Sequence, residues 1–336
     1  MNRRAFAGLA VTALVAGALS AGCSKRPGGE SIPVVAIANY GAHPIIDVTV
    51  AAFKARLAEL GYRDGSNIRL YWSSVEGDVN LAPQMVAGLM ARSPKVIVGI
   101  TTPIAQAVVH QARGRVPVVF CGVTDPVGAG LVPSWENAPG SGVTGTSDRW
   151  PYAEQLDLIK ELLPNARRVG VPFNSGEANS VYALEQIRRL AAERGLEIVT
   201  SVATNVGGVR QAVDALVTQR VDVIYVASDN TVMAGFESVL KIARERRIPL
   251  IVGESANVER GGLATYSVNY SELGRATADL VDTILKGASP GTLPVVTFRG
   301  ARLYINTDAA SRMRVTVPPA LLQRATLVNG GEGTRD

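Results

Sequence analysis

Short apolar runs rich in β-branched residues alternate along this chain with stretches in which apolar residues recur every three or four positions. The run IPVVAIA at 32–38, for example, precedes a helical pattern that passes through Phe53 and Leu57. These runs are apolar throughout rather than at every second residue, which is typical of parallel strands covered by helices on both faces. Repeated strand–helix units of this kind predict an α/β fold with parallel sheets.

The strand–helix units form two series, separated near residue 150. The predicted strands span 32–38, 68–72, 95–100 and 116–122 in the first series, and 168–173, 196–202, 221–228, 248–254 and 263–268 in the second. With 336 residues, 47 % of them apolar and 19 % charged, the chain can form one large domain or two medium ones. The stretch 141–152 is rich in Gly, Ser and Thr, so we interpret it as a crossover. We therefore predict two doubly wound, parallel-sheet lobes joined by crossovers.

The N-terminal segment differs in composition from the rest of the chain. A short basic stretch precedes an apolar stretch of mostly small residues, as in a secretory signal peptide. The sequence LSAGC at 19–23 is similar to a bacterial lipobox, whose cysteine becomes the lipidated N-terminus. We predict a lipoprotein signal peptide over 1–22, lipidation at Cys23 and a flexible tether over 23–31. Ordinary cleavage after a small residue, with Cys23 incidental, is the alternative.

Charge and motifs argue against several classes of function. The net charge is +5, or +3 once Arg3 and Arg4 leave with the signal peptide, which is too small to indicate nucleic acid as a partner. The sequence has neither a metal-spaced cluster of His, Cys, Asp and Glu nor a glycine motif for dinucleotides or phosphates. Cys121 lies in an apolar run and Cys23 is assigned to the lipid, so no disulfide is predicted. We predict no catalytic residues, no metal and no cofactor.

Polar loops follow the predicted strands of both series. Ligands of open α/β sheets bind outside the carboxyl ends of the strands, so two such sheets facing each other would enclose a cleft. From these loops and the crossover we take as candidate ligand-binding residues Tyr40, Thr101, Thr102, Asp125, Asp148, Asn174, Ser175, Glu177, Asn179, Ser180, Asp229, Asn230 and Glu254.

The sequence Thr101-Thr102-Pro103 indicates a place for a carboxylate. Proline suits the first helical position, which makes Thr102 the predicted N-cap. The free N–H groups and the positive end of the helix dipole would then point into the cleft. Simple capping without a ligand is the alternative.

Acidic residues in the same loops are candidates for binding a ligand ammonium. They are Asp125, Asp148, Glu177, Asp229 and Glu254, of which one is enough. Asp229 is the preferred candidate because it follows a strand directly into the cleft and has polar neighbours. On this hypothesis Asp229→Ala weakens binding and leaves the fold intact; capping of the next helix is the alternative role.

The loop NSGEANS at 174–180, called the 174–180 loop below, has two interpretations. Asn174 as N-cap with Glu177 three residues later resembles a capping box, which would make the loop an ordinary helix start. Asn179 and Ser180 lie further along, where they are mediocre helix formers. The second interpretation is therefore a ligand clamp, with Asn179 or Ser180 in contact and an aromatic ligand ring against Tyr40 or Phe173.

Several motifs together resemble a known family. They are Ala42-His43-Pro44, ELGYRDGSNI (59–68), VTDPVGAGLV (123–132), VTGTSD (143–148), NSGEANS (174–180), ASDNTV (227–232) and INTDAASRMRVTVPPALLQRA (305–325). They are similar to motifs of ABC-transporter substrate-binding lipoproteins, in particular the branch associated with tryptophan and other aromatic amino acids. In that branch the ligand-facing positions correspond to Asn174, Ser175, Glu177, Asn179, Ser180, Asp229 and Asn230.

The resemblance implies a type I periplasmic-binding-protein fold with three crossovers. The expected first lobe comprises 32–147 with a return over about 271–288, and the second comprises 148–270 with about 289–326. The implied function is capture of an amino acid, tryptophan or another aromatic or apolar one, by a lipid-anchored monomer outside the cytoplasmic membrane, for delivery to an ABC permease. The alternatives are a sensor subunit of the same fold that binds a sugar or purine, and an α/β enzyme.

Overall fold

The structure of the chain is a computed structural model that describes residues 32–136, 140–298 and 300–328. The predicted signal peptide, Cys23 and the tether lie outside the described residues, so processing and lipidation remain predictions.

Nine of the thirteen strands in the described residues lie within two residues of the predicted runs. In chain order they are β1 (Val34–Asn39), β2 (Arg69–Ser74), β3 (Val96–Ile100), β4 (Val118–Cys121), β5 (Val143–Ser147), β6 (Arg168–Phe173), β7 (Glu197–Val202), β8 (Val223–Val226), β9 (Leu250–Val252), β10 (Ala264–Ser267), β11 (Val296–Thr297), β12 (Arg302–Asn306) and β13 (Thr326–Val328).

The helices lie between the strands, as the two alternating series predict. They are α1 (Pro44–Glu59), α2 (Ala82–Met90), α3 (Thr102–Ala112), α4 (Tyr152–Leu162), α5 (Ala178–Ala192), α6 (Val209–Thr218), α7 (Asn230–Ala234), α8 (Phe236–Arg246), α9 (Ser255–Glu259), α10 (Tyr270–Leu285), α11 (Thr307–Arg312) and α12 (Pro319–Arg324). Within the described residues, no helix is both long and apolar enough to cross a bilayer.

The strands form two sheets, one in each lobe. The first sheet has the order β11-β5-β4-β3-β1-β2, and the second has the order β13-β12-β10-β9-β8-β6-β7. The pairs within β1–β5 and within β6–β10 are parallel, which confirms the predicted architecture. The second sheet departs from it at one point, because β12 runs antiparallel to β10.

The chain passes between the two sheets three times within the described residues. It leaves the first sheet after β5, returns from β10 through α10 to β11, and leaves again for β12. The segment 141–152, predicted as a crossover only, contains β5. The strand was missed because VTGTS lacks a continuous apolar run, although all five residues are buried.

Helix α10 is fixed to the first lobe by contacts with α1, both along its length and at its last residue, Glu59. A Cβ at Gly274 would lie 2.1 Å from the carbonyl oxygen of Thr49, so the two helices pack at the closest distance that glycine allows. Arg275 donates to both carboxylate oxygens of Glu59 at 2.7 Å. The return to this lobe extends beyond the predicted residue 288, because β11 pairs with β5; the second lobe resumes at β12 rather than at 289.

Each lobe has its own apolar core. Phe120 and Ile97 are completely buried in the first, and Tyr225 and Phe236 in the second. Cys121 is a buried, free thiol. The polar loops at the carboxyl ends of the strands lie outside both cores and meet between the lobes.

Candidate functional site

A cavity of about 690 Å³, including its open mouth, lies where the carboxyl ends of the two sheets face each other. The residues around it come from the loops after β1, β3, β4, β6, β8 and β9, and from the crossovers near 148–150 and 270. They include Tyr40, His43, Ile45, Ile46, Thr101, Thr102, Thr124, Asp148, Trp150, Asn179, Ser228, Asp229, Asn230, Met233, Glu254, Tyr270 and Leu273.

The lobes are closed over this cavity. Thr124 Oγ1 of the first lobe and Ser228 Oγ of the second are 2.9 Å apart, and both residues are buried. His43 Nδ1 and Glu254 Oε2 approach to 3.8 Å across the cleft. The cavity is therefore bounded by both lobes.

Thr101 is the N-cap of α3, one residue before the predicted Thr102, and its backbone is strained. Its φ of 76° and ψ of 158° lie in a region that β-branched residues avoid. The backbone is held there because Thr101 N–H donates to Cys121 O and its carbonyl accepts from Ala105 N–H, both at 2.9 Å. Its side chain makes no capping bond, and Oγ1 is buried without a partner. The hydroxyl is therefore free to bind something in the cleft.

His43 caps α1 through its imidazole. Nδ1 accepts from Ile45 N–H at 3.4 Å, whereas Nε2 is buried without a partner. Burial, and then the charge of Arg260, lower the pKa of His43 from 6.5 to about 4. The imidazole is neutral at pH 7 and, since Nδ1 is the acceptor, its hydrogen lies on Nε2.

Glu254 occupies the N-cap position of α9 but makes no side-chain cap. Its exposed fraction is 7 %, and Oε2 is buried without a hydrogen-bond partner. Burial, with a smaller effect of Asp148, raises the pKa of Glu254 from 4.5 to about 8. The carboxyl is therefore largely protonated at pH 7, and its pairing with His43 is one of two neutral groups.

An aromatic wall closes the cleft at the crossovers. Trp150 Nε1 donates to Tyr270 OH at 3.1 Å and to Asp148 Oδ2 at 3.3 Å, and Tyr270 OH also donates to Asp148 Oδ2 at 3.3 Å. The indole lies so close to Gly253 that a Cβ there would be 1.5 Å from Cζ3. Burial raises the pKa of Asp148. Its oxygens hold the two rings, and Oδ1 also accepts from Thr124 Oγ1 at 3.2 Å.

The 174–180 loop caps a helix, but not the predicted one. Helix α5 begins only at Ala178, and the side chain of Glu177 makes no cap for it. Glu177 instead accepts from the N–H groups of Asn230 and Thr231 at 3.0 and 2.9 Å, and from their side chains at 2.6 and 2.7 Å. The carboxylate thus accepts hydrogen bonds from the N–H groups at the start of α7, more than 50 residues away. The capping-box interpretation is wrong.

Asp229 also has protein partners for both carboxylate oxygens. Oδ1 caps α7 by accepting from Val232 N–H at 2.8 Å, while Oδ2 accepts from Asn174 N–H at 2.5 Å and Ser180 Oγ at 2.6 Å. Burial, and then the charge of Glu177, raise the pKa of Asp229 from 3.8 to about 7. The carboxylate therefore caps a helix, as the alternative role predicted, and the effect of Asp229→Ala on the fold stays a prediction.

Asn179 is the residue of the 174–180 loop that reaches the cleft. Its Nδ2 donates to Ser228 O at 3.0 Å and to Glu177 Oε2 at 3.3 Å, whereas Oδ1 is buried and unpaired. Asn174 shapes the turn by accepting from Gly176 N–H and donating to Thr231 Oγ1. Ser175 is exposed.

The candidate residues divide into two groups. Those lining the cavity are Tyr40, Thr101, Thr102, Asp148, Asn179, Asp229, Asn230 and Glu254. Asn174, Ser175, Glu177, Ser180 and Asp125 are not among its lining residues, and the Asp125 carboxyl lies against Gly128 in its own turn. Phe173 does not line it either; it packs on the core of the second lobe.

Sequence reasoning missed several lining residues. Trp150 lies in the stretch interpreted as a crossover, and Tyr270 lies at the end of the predicted second lobe. Thr124 and Ser228 directly precede chosen candidates, and Met233 lies within α7. His43 was named only as part of a family motif and was not chosen as a candidate. Aromatic residues at the joints between the two series were the available signal. No group of three or more His, Cys, Asp and Glu in the described ranges could hold a metal ion.

The sequence matches known proteins over most of its length. Residues 34–329 match the family model described as ABC transporter substrate binding protein. A tyrosine-binding protein of Clostridioides difficile strain R20291 is 31 % identical over 285 residues, which cover 85 % of this chain and 82 % of the relative.

Solved structures of similar sequence also match. An ABC domain in complex with L-Trp from Streptococcus pneumonia is 33 % identical, with a TM-score of 0.84 over 89 % of this chain and 100 % of that one. A ligand-free, open substrate-binding protein from Clostridium difficile is 31 % identical with the same coverage, and its TM-score is 0.65. The higher similarity to the ligand complex agrees with the closed arrangement of the lobes.

Proteins of this family bind solutes outside the cytoplasm, work with ABC permeases and catalyse no reaction. From the match over 34–329, the two-lobed fold and the cleft between the lobes, the chain is a member of the ABC transporter substrate-binding protein family.

Proposed function

We propose that the chain binds an aromatic amino acid in the cleft between its lobes. The observation that carries this proposal is a set of buried polar atoms in the cleft that have no partner: Thr101 Oγ1, His43 Nε2, Asn179 Oδ1 and Glu254 Oε2. Buried polar groups are normally hydrogen-bonded, so these atoms indicate the polar groups of a ligand.

The carboxylate of the ligand binds at the start of α3. Thr102 and Ile104 offer backbone N–H groups of the first helical turn, and the dipole of this eleven-residue helix favours an anion there. The unpaired hydroxyl of Thr101 adds a donor at the same place. These groups account for the predicted role of the Thr101-Thr102-Pro103 sequence.

The ammonium binds on the opposite lobe, between Asn179 and Asp229. Asn179 Oδ1 is an acceptor without a donor, and Asp229 lines the same cavity. The three bonds that Asp229 accepts leave room for one more, because a carboxylate has about four acceptor positions. An ammonium there would also favour ionisation of a carboxyl whose pKa is raised to about 7.

The remaining surface of the cavity suits an aromatic ring. Trp150, Tyr270 and Tyr40 line it together with Ile45, Ile46, Met233 and Leu273. Two related proteins are described as binding tyrosine or as a complex with L-Trp, at 31 % and 33 % identity. Both comparisons support an aromatic amino acid as the ligand.

A thermal-shift screen of amino acids, sugars and purines, followed by calorimetry, tests the proposal. A ligand that binds only the folded state at one hundred times its Kd raises the unfolding free energy by about 2.7 kcal/mol. We expect tryptophan or tyrosine to raise Tm. Tryptamine lacks the carboxylate and indole-3-propionate lacks the ammonium, so each should bind at least tenfold more weakly than tryptophan. A sugar or purine that raises Tm while aromatic amino acids do not would overturn the proposal.

We further propose that the protein is a monomer anchored to the membrane by a lipid on Cys23. The support is the lipobox-like LSAGC at 19–23 and the glycine-containing stretch after it. Labelling with a radioactive fatty acid should mark the wild-type chain and not Cys23→Ala. Equal label on both would exclude the anchor, and light scattering of the mature chain checks the monomer.

A further inference from the structure

Two of the unpaired cleft atoms belong to neighbouring side chains from opposite lobes. His43 Nδ1 lies 3.8 Å from Glu254 Oε2, and the unpaired atoms are His43 Nε2 and Glu254 Oε2. The two side chains are called the His43–Glu254 pair below. The pair offers one donor and one acceptor in the same part of the cleft.

The hydrogen-bonding role of His43 Nε2 is fixed by its surroundings, and Glu254 Oε2 is an acceptor when the proton of the neutral carboxyl lies on Oε1. Nδ1 of His43 accepts from the Ile45 N–H, so Nε2 carries the hydrogen and can only donate. Glu254 Oε2 can accept, and it is not used in capping α9. Both unpaired atoms are buried, so each requires a partner when the lobes are closed.

The pair is uncharged at neutral pH. The pKa of His43 is lowered to about 4 and that of Glu254 is raised to about 8, in both cases mainly by burial. An uncharged donor and acceptor match an uncharged polar group better than an ammonium or a carboxylate.

Apolar residues flank the pair on both sides. Ile45 and Ile46 follow His43 at the start of α1, and both line the cavity. The indole of Trp150 lies on Gly253, the residue before Glu254. The groups assigned to the carboxylate and the ammonium lie on other loops, after β3, β6 and β8. The pair therefore belongs to the part of the cleft that receives the ligand's side chain.

We propose that the His43–Glu254 pair is a subsite for a hydroxyl group on the aromatic side chain of the ligand. A phenol hydroxyl donates to Glu254 Oε2 and accepts from His43 Nε2–H, which satisfies both atoms. The indole N–H of tryptophan satisfies Glu254 alone, and phenylalanine satisfies neither. This inference rests on the proposed function and extends it from aromatic amino acids to a preference for tyrosine among them.

Calorimetry of the wild-type protein with tyrosine, tryptophan and phenylalanine is the first test. A buried polar group left without a partner weakens binding of the analogue by roughly tenfold or more. We expect tyrosine to bind at least tenfold more tightly than phenylalanine, with tryptophan between them. Equal affinities for tyrosine and phenylalanine would overturn the subsite and leave the proposed function intact. Failure of all three to bind would overturn both.

Glu254→Met is the second test, because methionine has a similar length and no acceptor oxygen of comparable strength. We expect it to weaken tyrosine binding at least tenfold and to leave phenylalanine binding unchanged or tighter. A loss of the same size for both ligands would assign Glu254 to the ammonium and overturn the subsite. Thr101→Gly is the matched control, since it removes a contact to the shared carboxylate and should weaken both ligands in parallel.

Discussion

Polar loops at the strand ends of the two lobes differ in how their side chains are used. In the second lobe, the side chains of Glu177 and Asp229 are hydrogen-bonded mainly to protein groups and fix the start of α7. In the first lobe, Thr101 has a strained backbone and a hydroxyl without a partner. Both loops have dense polar sequences at equivalent places in the fold. The number of polar residues in a loop therefore does not measure its contacts with a ligand; the number of unpaired atoms is the better guide.

Glu177→Ala should give the largest loss of stability. The carboxylate accepts from buried donors on Asn230, Thr231 and Asn179, and each donor left without an acceptor costs about 1–3 kcal/mol. We expect the free energy of unfolding to fall by about 3 kcal/mol or more, measured by urea denaturation. Glu185→Ala, at an exposed position of α5, is the control. If both substitutions lowered the free energy of unfolding by the same small amount, the 174–180 loop would have no structural role.

Asp229→Ala should reduce both stability and affinity. Loss of the cap of α7 costs about 1–2 kcal/mol, and loss of an ammonium partner weakens binding by about 1.5–3 kcal/mol. Urea denaturation without ligand and calorimetry with tryptophan separate the two effects. If Asp229→Ala is destabilised but binds tryptophan with normal affinity, Asp229 only caps α7. The contrast between its loop and the loop of Thr101 then becomes sharper.

The ligand-free protein should lose stability as the pH rises above 6.5. The pKa of Glu254 is raised from 4.5 to about 8, so the folded state keeps a proton that the unfolded state has released. This contribution is complete below pH 4.5 and is lost as the pH approaches 8. The pKa of His43 is lowered from 6.5 to about 4, so its contribution makes stability rise with pH between about 4 and 6.5 and does not change above 6.5. Above that value the loss due to Glu254 remains, together with a smaller loss due to Asp229 up to about pH 7.

The expected loss is about 1.4 kcal/mol per pH unit between pH 6.5 and 8. Asp148 raises and Arg260 lowers the pKa of Glu254, and the raised pKa of Asp229 adds a loss of stability that overlaps this pH range. The measurement is therefore the difference in unfolding free energy between wild type and Glu254→Met at the two pH values. A difference independent of pH would show that Glu254 is ionised in the folded protein.

Asn179→Ala tests the residue of the second lobe that has both a structural bond and a free atom. Its Nδ2 bonds to Ser228 and Glu177 are lost, so we expect the free energy of unfolding to fall by about 1 kcal/mol. The free energy of tryptophan binding should weaken by a similar amount, because the unpaired Oδ1 is the atom proposed to bind the ammonium. Ser175→Ala, exposed in the same loop, should change neither quantity. Wild-type affinity in Asn179→Ala would leave the loop without a ligand contact.

Thr101→Gly should have the smallest effect on stability, and in the opposite direction. Glycine adopts a φ of 76° without the strain of a β-branched residue, which relieves about 1 kcal/mol but adds unfolded-state entropy of similar size. We expect unchanged or slightly higher Tm and roughly tenfold weaker tryptophan binding. Thr101→Ala keeps the strain and loses the hydroxyl, so it should lower Tm relative to Thr101→Gly with the same loss of affinity. Unchanged binding in both variants would remove Thr101 from the site.

The sequence by itself determined the architecture of this protein and the location of its cleft. The alternation of apolar runs with helical periodicity is a local property, so it predicted most strands to within two residues and two parallel-sheet lobes. The order of strands and helices then placed the polar loops at the carboxyl ends of both sheets. The last three strands were missed because their apolar runs are short: β11 has two residues, β13 has three, and β12 has three apolar residues between an arginine and an asparagine.

Only the tertiary structure decided which polar side chains remain free to bind a ligand. Glu177 and Asn230 are far apart in the chain, and Thr124 and Ser228 lie on different lobes, yet each pair forms a hydrogen bond. A donor can satisfy any acceptor that the fold brings within about 3 Å of it, and sequence spacing carries no record of that approach. The sequence therefore gives nearly the same description to Glu177 and Glu254, two acids that follow strands. The fold surrounds the carboxylate of the first with donors and leaves an oxygen of the second without one.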